Sequence, residues 1–454
     1  MCGVFGVRAS ERDVARLTYF GLYALQHRGQ ESAGIAVSED GRLTALRDLG
    51  LVPQVFDERS LSGLRGDLAI GHTRYSTTGA NAWANAQPLL HHGTARTVAL
   101  GHNGNLVNAA ALRDELGKPL GSTSDSEVIA ALIADDDRPL DEAIGATMER
   151  LEGAATVVGL AEGTLFAFRD AHGFRPLVLG QLGDDPVVAS ETCALDLVGA
   201  ELVREVAPGE LVLADGRGVR TQQVLDPPEH GALCIFEFFY LARPDTKLSG
   251  VEVHGARVRM GERLAQESPV DADLVLPIPD SGTPAAIGFA RATGIPFSEG
   301  LIKNRYVGRT FIQPEQGMRE QGIRMKFNPL AEVAGQRLVV VDDSIVRGST
   351  TRQIVQMLFD AGAAEVHVRI SSPPVVSPCY YGIDLASEDE MIAAHSTVEE
   401  VREAIGATSL AYLSQEGLEE STLRPASELC RACLTREYPT RVPEDAAKLR
   451  FERV

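Results

Sequence analysis

Two adjacent acids, Asp342 and Asp343, end a β-branched apolar run, Leu338-Val339-Val340-Val341. A polar, glycine-bearing stretch follows them, from Ser344 through Arg347, Gly348, Ser349 and Thr350. The run reads as a buried strand and the stretch as a loop that opens a helix near residue 350. Open α/β sheets bind ligands at the carboxyl ends of their strands. Small-residue loops at helix N-termini present N–H groups to phosphate. Acids suited to hydroxyls or a metal, set beside a phosphate cradle, point to a sugar phosphate. A plain strand with a solvated turn would explain Asp343 alone. It explains poorly the paired acids followed by Arg347-Gly348-Ser349-Thr350.

Cysteine supplies a second chemistry. Cys2 stands next to the initiator. With Met1 removed, it would carry a thiol and a free α-amino group, and such an amine can act as base for its own thiol. An incidental small residue after the initiator is the competing reading. Cys430 and Cys433 form a C-x-x-C pair, with Cys234 and Cys379 far away in sequence. One such pair is a weak sign, since zinc, redox and chance all produce it. Four thiolates can hold zinc or an iron–sulfur cluster, and the spacing does not choose between them. Cys193 remains, and reads as a buried core thiol.

The elements that must position these groups fall into two blocks. At 454 residues the chain implies two to three domains. Its 44% hydrophobic and 23% charged residues are ordinary for soluble globular proteins. The net charge of −20 argues against nucleic-acid or anionic-membrane binding. No apolar run has a spanning helix's length, and the N-terminus lacks the shape of a signal peptide. A cytoplasmic protein with reduced thiols is expected.

The first block is β-rich. Residues 33–37 and 42–47 flank an Asp-Gly turn, as in a hairpin. Further strands are expected at 67–70, 97–100, 155–160, 164–169 and 186–189. Helices are expected at 124–134, opened by a Ser124–Glu127 capping box, and at 140–151. A polar, proline-bearing stretch at 225–231 marks a boundary. Beyond it strand and helix alternate: 274–278, 284–292, 338–341, 350–361, 366–370. A short helix at 398–405 reads as capped by Ser396 with Glu399. This half reads as a mostly parallel sheet. The charged tail from residue 437 reads as peripheral.

Several motifs then change the weight on Cys2: Cys2-Gly3-Val4-Phe5-Gly6, Gln26-His27-Arg28-Gly29, Gly71-His72-Thr73-Arg74-Tyr75, Gly101-His102-Asn103-Gly104-Asn105 and Ser124-Asp125-Ser126-Glu127. Together they resemble the glutaminase domain of the class II (N-terminal nucleophile) amidotransferases. The resemblance implies a four-layer αββα domain, residues 2–227, in which Cys2 attacks the glutamine side-chain amide. It implies an oxyanion hole from the Asn103 side chain and the Gly104 N–H. Arg74 would take the substrate carboxylate and Asp125 its ammonium, with Arg28 in a motif that closes over glutamine. His27, His72 and His102 read as structural.

The second half, residues 228–454, resembles the type I phosphoribosyltransferases. There Asp342 and Asp343 would contact ribose hydroxyls, and Ser344, Arg347, Gly348, Ser349 and Thr350 the 5′-phosphate. Asp280-Ser281-Gly282-Thr283 resembles the pyrophosphate loop. Ser281, Asp342 and Asp343 are the expected surroundings of a magnesium ion. Residues 303–326, KNRYVGRTFIQPEQGMREQGIRMK, carry six cations against two acids. They resemble the closing catalytic loop of the glutamine phosphoribosylpyrophosphate amidotransferases, with Lys303, Arg305, Arg309 and Lys326 near pyrophosphate. Tyr240 is a candidate contact between the two sites. Thr246 replaces the family's frequent serine and keeps its hydroxyl.

One branch of that family holds a structural [4Fe–4S] cluster on cysteines placed like Cys234, Cys379, Cys430 and Cys433. Some of its members carry a propeptide. Here methionine removal would suffice. The family implies purine nucleotides as feedback inhibitors and a homotetramer or homodimer. Two rivals stay open at this level. A hexosamine-forming class II amidotransferase would need a sugar-isomerase half. A DNA-binding regulator of phosphoribosyl fold would need a basic segment and no Cys2.

Overall fold

The computed structural model describes residues 2–76, 79–304, 323–385 and 387–443. Arg305 and Arg309 lie outside the described residues, as does most of the expected closing loop.

The first half is built on two antiparallel sheets. The seven-stranded sheet runs Glu201–Glu205, Val178–Leu182, Asp185–Ala189, Gly3–Arg8, Leu68–Arg74, Ser32–Glu39, Arg42–Leu49. The six-stranded sheet runs Gly218–Gln223, Glu210–Asp215, Thr164–Arg169, Gly153–Ala161, Thr97–Leu106, Leu89–His92. Val4 and Ile70 from the first sheet meet Ala99, Val158 and Leu165 from the second in one apolar layer. The outer face of the first sheet packs on the helices Val14–Ala24 and Thr192–Val198. The outer face of the second packs on Asp125–Asp135 and Leu140–Met148. Strands covered on both faces carry nearly continuous apolar or small residues, as in the fully buried Gly153–Ala161. The result is the expected αββα sandwich.

The second half centres on a parallel sheet in the order Leu274–Pro277, Arg337–Asp342, Glu365–Ile370, Ser409–Tyr412. Val339 and Val341 pack toward the helices Val253–Glu267 and Thr283–Thr293. Leu338 and Val340 pack toward Ser349–Asp360 and Val398–Ile405. That two-sided burial is why this strand is apolar at successive positions. Among the described residues no helix is long and apolar enough to cross a membrane.

Several local features depart from the sequence expectation, among them the strand expected at 67–70, which runs on to Arg74. The strand expected at 97–100 runs on to Leu106, because residues 99–106 pair in register with Gly153–Ala161. The His102-Asn103-Gly104 motif therefore lies within a strand. Ser124 does cap its helix, but Glu127 reaches back to the N–H groups of Gly121 and Ser122 rather than completing a capping box. The box opening Val398–Ile405 is Thr397 with Glu400, one residue beyond the expected pair. The tail is held through Thr440: Tyr438 donates to the Pro378 carbonyl at 2.8 Å, and Thr440 pairs with the Tyr381 hydroxyl.

Gly282, at the start of the Thr283–Thr293 helix, crosses the end of the Arg337–Asp342 strand at close range. A Cβ there would stand 2.4 Å from the Val341 carbonyl oxygen and 3.2 Å from the Asp342 Cα. Backbone cannot yield as a side chain does. Gly282→Ala is expected to destabilise this half by about 1–3 kcal/mol, which a thermal melt against wild type checks.

Candidate active site

Cys2 immediately precedes the Gly3–Arg8 strand in the middle of the seven-stranded sheet, and it is buried. Asn103 reaches it from the opposing sheet, accepting the Cys2 N–H on Oδ1 at 3.3 Å. With Oδ1 so used, Asn103 Nδ2 is a buried donor without an acceptor. Leaving such a group unsatisfied costs about 1–3 kcal/mol. An anion forming beside Cys2 would relieve that cost. Gly104, next along the strand, is also buried. The Cys2 thiol lies 3.7 Å from the Tyr75 carbonyl oxygen.

The Cys2 carbonyl is held by Arg28, whose Nε donates at 2.9 Å. The rest of this fully buried guanidinium goes to Glu237, at 2.8 and 3.0 Å, and to Glu191. Burial alone would lower the Arg28 pKa, but Glu237 and Glu191 outweigh it and raise it. Burial works to raise the Glu191 pKa. The charges of His27 and Arg28 overcome it and hold the carboxyl well below its usual range. The motif leads to the expectation that Arg28 lies where the chain closes over glutamine. Here its fork is occupied by Glu191 and Glu237, and its Nε grips the Cys2 backbone.

Arg74 ends the Leu68–Arg74 strand, buried, donating to the carbonyls of Ala80 at 3.1 Å and Gly79 at 3.3 Å, with Glu31 at 3.6 Å. Asp125 opens its helix and accepts the Leu106 N–H at 3.0 Å. Burial would raise the Asp125 pKa, but His102, 3.7 Å away, and the amides of Leu106 and Ser126 lower it. His102 Nε2 meets the Ala154 carbonyl at 3.1 Å, His72 Nε2 the His102 carbonyl at 3.0 Å, and His27 Nδ1 the Ala24 carbonyl at 3.2 Å. Each of the three rings ties elements together, as expected of structural histidines.

At the carboxyl end of the parallel sheet, Asp342 and Asp343 are both buried. The Asp343 N–H donates to Asp342 at 2.9 Å, and the Ser344 hydroxyl to Asp343 at 2.5 Å. Burial first, then the neighbouring charge of Asp343, pushes the Asp342 pKa well up. Burial also raises Asp343, offset in part by Ser281, Ser344 and Arg257. Two crowded acids of this kind favour a bound cation. Ser349 and Thr350 are exposed at the first turn of the Ser349–Asp360 helix, behind Gly348 at φ +73°. Asp280 is exposed and paired with Lys303. Ser281, Gly282 and Thr283 follow it into the next helix. Asn304 N–H donates to the Lys326 carbonyl at 2.7 Å, closing the base of the segment between them. Arg347 points to Glu390 at 2.7 Å.

Residues 72–197 match the glutamine amidotransferase domain family. An amidophosphoribosyltransferase of Mycobacterium bovis is 52% identical over 98% of this chain and 88% of its own length. That of Archaeoglobus fulgidus is 48% identical over 98% of this chain and 99% of its own. The solved Bacillus subtilis glutamine phosphoribosylpyrophosphate amidotransferase, complexed with ADP and GMP, is 47% identical. It superposes with a TM-score of 0.92, covering 98% of this chain and 99% of that one. The chain belongs to the amidophosphoribosyltransferase family. It is an enzyme of the pentosyltransferase class, acting at the first step of purine biosynthesis. An N-terminal nucleophile glutaminase domain joined to a phosphoribosyltransferase domain is the family's fold. Membership removes the hexosamine-forming and DNA-binding rivals.

In this amidophosphoribosyltransferase the four distant cysteines come together. Cys234 and Cys430 are register partners on two short parallel strands, Leu233–Cys234 and Leu429–Cys430. Burial raises the Cys433 pKa well above the ordinary thiol value, with Cys234, Cys379 and Cys430 adding to it. None of the four is in a disulfide. Among the described residues no group of three or more His, Cys, Asp or Glu side chains is arranged to hold a metal ion. The four thiols are thus neighbours. Cys193 is a buried core thiol, its pKa raised by burial and by Glu191.

Glu191, Glu237, Arg175 and Arg257 were not picked out from sequence. Glu191 and Glu237 lie 163 and 209 residues from Arg28. Arg257, buried, donates to the carbonyls of Phe238 at 2.7 Å and Ala242 at 2.8 Å, and its charge reaches Asp343. Tyr240 lies in that same turn, half-exposed, its ring edge-on to Phe236. Of the four only Glu237 lies in a run with a sequence signal of its own, Cys234-Ile235-Phe236-Glu237 through Arg243-Pro244-Asp245.

His72 offers a pH test. Burial, and then the charge of Arg74, lower its pKa from 6.5 to about 3, so the folded ring stays neutral. The unfolded chain binds the proton first. Stability from the neutral ring is complete above pH 6.5 and falls toward pH 3, by roughly 1.4 kcal/mol per pH unit. His72→Gln is expected to flatten that part of the stability profile, measured by urea unfolding at stepped pH.

Proposed function

We propose that the chain makes 5-phosphoribosylamine from phosphoribosyl pyrophosphate and glutamine, releasing glutamate and pyrophosphate, with residues 2–227 opening glutamine and residues 228–454 receiving its nitrogen. The observation that carries the residue assignment is the unsatisfied Asn103 Nδ2 beside Cys2. After loss of Met1, the Cys2 amine takes the thiol proton and Sγ attacks the side-chain amide carbon of glutamine. The oxyanion so formed accepts from Asn103 Nδ2 and the Gly104 N–H. Each such donor is worth about 2.7–4 kcal/mol in comparable sites. The C–N bond breaks, ammonia leaves with a proton from the amine, and water hydrolyses the thioester to glutamate. Arg74 and Asp125 match the carboxylate and ammonium of free glutamine. Arg28 acts through Cys2, holding its carbonyl.

Ammonia passes internally to the second site and attacks C1 of phosphoribosyl pyrophosphate, whose bond to pyrophosphate breaks. Asp342 and Asp343 bind the ribose hydroxyls. Ser344, Arg347, Gly348, Ser349 and Thr350 take the 5′-phosphate, and Asp280, Ser281, Gly282 and Thr283 the pyrophosphate. Arg347 would have to leave Glu390 to do so. Lys303, Arg305, Arg309 and Lys326 offset the leaving group's charge. The raised acids at Asp342 and Asp343 support a magnesium site there with Ser281, where the ion would neutralise pyrophosphate.

The donor set of Cys234, Cys379, Cys430 and Cys433, four soft thiols in mutual range, supports a structural [4Fe–4S] cluster. Purine nucleotides as feedback inhibitors are supported by the ADP and GMP in the Bacillus subtilis complex. A cytoplasmic homotetramer or homodimer completes the reading.

Cys2→Ala is expected to abolish glutamate release while synthesis from added ammonia persists. A folded variant that loses both activities would overturn the two-site assignment. Protein purified without oxygen is expected to hold about four iron atoms per chain, lost in Cys433→Ser. Stoichiometric zinc in place of iron would overturn the cluster.

A further inference from the structure

The stretch that carries Cys379 also lies on the strand that carries Asn103 and Gly104. Its root is tied to both halves. Cys379 Sγ accepts the N–H groups of Tyr381 and Ile383, both at 3.4 Å. The Tyr381 carbonyl accepts from Arg175, at 3.0 Å from Nε and 2.6 Å from Nη2. The Tyr381 ring is buried and stacks on Phe174 at 4.2 Å.

From this root the stretch meets the first site at three points. The Tyr380 carbonyl accepts from Asn105 Nδ2 at 2.9 Å. Asp384 accepts from the Tyr75 hydroxyl at 3.2 Å. Between them Gly382, at φ +107°, lies directly against Gly104. A Cβ on Gly382 would stand 3.2 Å from both the carbonyl carbon and the oxygen of Gly104. The residues touched are those that flank the reacting atoms. Asn105 follows Gly104, and the Tyr75 carbonyl is 3.7 Å from the Cys2 thiol.

Packing of one half on the other would also produce contacts. Here the contacts of Tyr381 with Arg175 and Phe174 anchor the segment, while Tyr380, Gly382 and Asp384 fall on positions 105, 104 and 75. The close approach to Gly104 also requires a glycine in a backbone region that other residues rarely adopt.

We propose that residues 380–384 are a positioning segment for glutamine hydrolysis, with Gly382 bearing on the carbonyl and Cα of Gly104 and so fixing the residue whose N–H, on the other side of that Cα, meets the oxyanion. This rests on the reading of Asn103 and Gly104 as oxyanion donors. The segment belongs to the half that handles phosphoribosyl pyrophosphate, so glutamine hydrolysis is competent only when that half is docked. The segment touches neither substrate and acts through Gly104.

The test compares Gly382→Ala with Gly406→Ala, a glycine at φ +73° with nothing within 4 Å of a Cβ. The control separates strain from the push on Gly104. Asn105→Ala removes a tether without adding bulk. Glutamate release, synthesis from added ammonia and alkylation of Cys2 by iodoacetamide (read by mass spectrometry) are measured on each. For Gly382→Ala the kcat of glutamate release is expected to fall about tenfold or more, with glutamine KM within about twofold. Ammonia-dependent synthesis and Cys2 alkylation need no oxyanion donor and should stay at wild-type rates. Asn105→Ala should show a smaller loss of the same kind, and Gly406→Ala none.

Wild-type kcat in both Gly382→Ala and Asn105→Ala overturns the proposal, as does a loss that appears in KM alone. If Gly382→Ala also loses ammonia-dependent synthesis, its fold is damaged and Asn105→Ala decides. Asn103→Ala separates the two levels. If it keeps full kcat, the oxyanion reading itself fails. If it loses kcat while the other variants do not, only the positioning segment fails.

Discussion

One buried guanidinium, that of Arg28, joins Cys2 to both halves of the chain. It donates to the Cys2 carbonyl, to Glu191 from the first half and to Glu237 from the second. Glu191 in turn accepts from the Thr246 hydroxyl at 2.6 Å and the Arg243 N–H at 2.9 Å. Glu237 faces a second buried arginine, Arg175, at 3.5 Å. Charges taken out of water are costly unless each finds partners, and removing one member of such a set typically costs about 3–5 kcal/mol. The network therefore closes only when both halves are folded and docked. Cys2 acquires a defined position as part of that closure.

Both sites keep an uncompensated group, of opposite kind. At the first, Asn103 Nδ2 is a donor with no acceptor, suited to a negative charge that appears during reaction. At the second, Asp342 and Asp343 are acids forced together in a buried place, suited to a cation and to hydroxyl donors. Around Arg28, by contrast, the buried charges are matched. At both sites a ligand or a transition state would relieve the local cost.

Sequence reading found elements with strong local signatures and lost those defined by partners. The 338–341 run, its acids and the Ser349–Asp360 helix were legible because strand, loop and helix are contiguous there. The hairpin around the Asp40-Gly41 turn was legible for the same reason. The extension of the Thr97–Leu106 strand through the Asn103 motif was not, because a polar motif continues as strand only when a neighbouring strand pairs with it. Arg28 stood out through its motif, yet its direction depends on carboxylates from distant parts of the chain.

The sequence by itself determined which residue types could react and in which half each lies: Cys2 with the Asn103-Gly104 pair, and Asp342-Asp343 with their phosphate loop. Those are properties of side-chain chemistry and short spacing, carried by contiguous residues. Only the tertiary structure decided that Arg28 grips Cys2, that Glu237 crosses from the second half to hold Arg28, and that Gly382 rests on Gly104. These contacts join residues hundreds of positions apart. Their geometry follows from how the two halves dock, which no local pattern encodes.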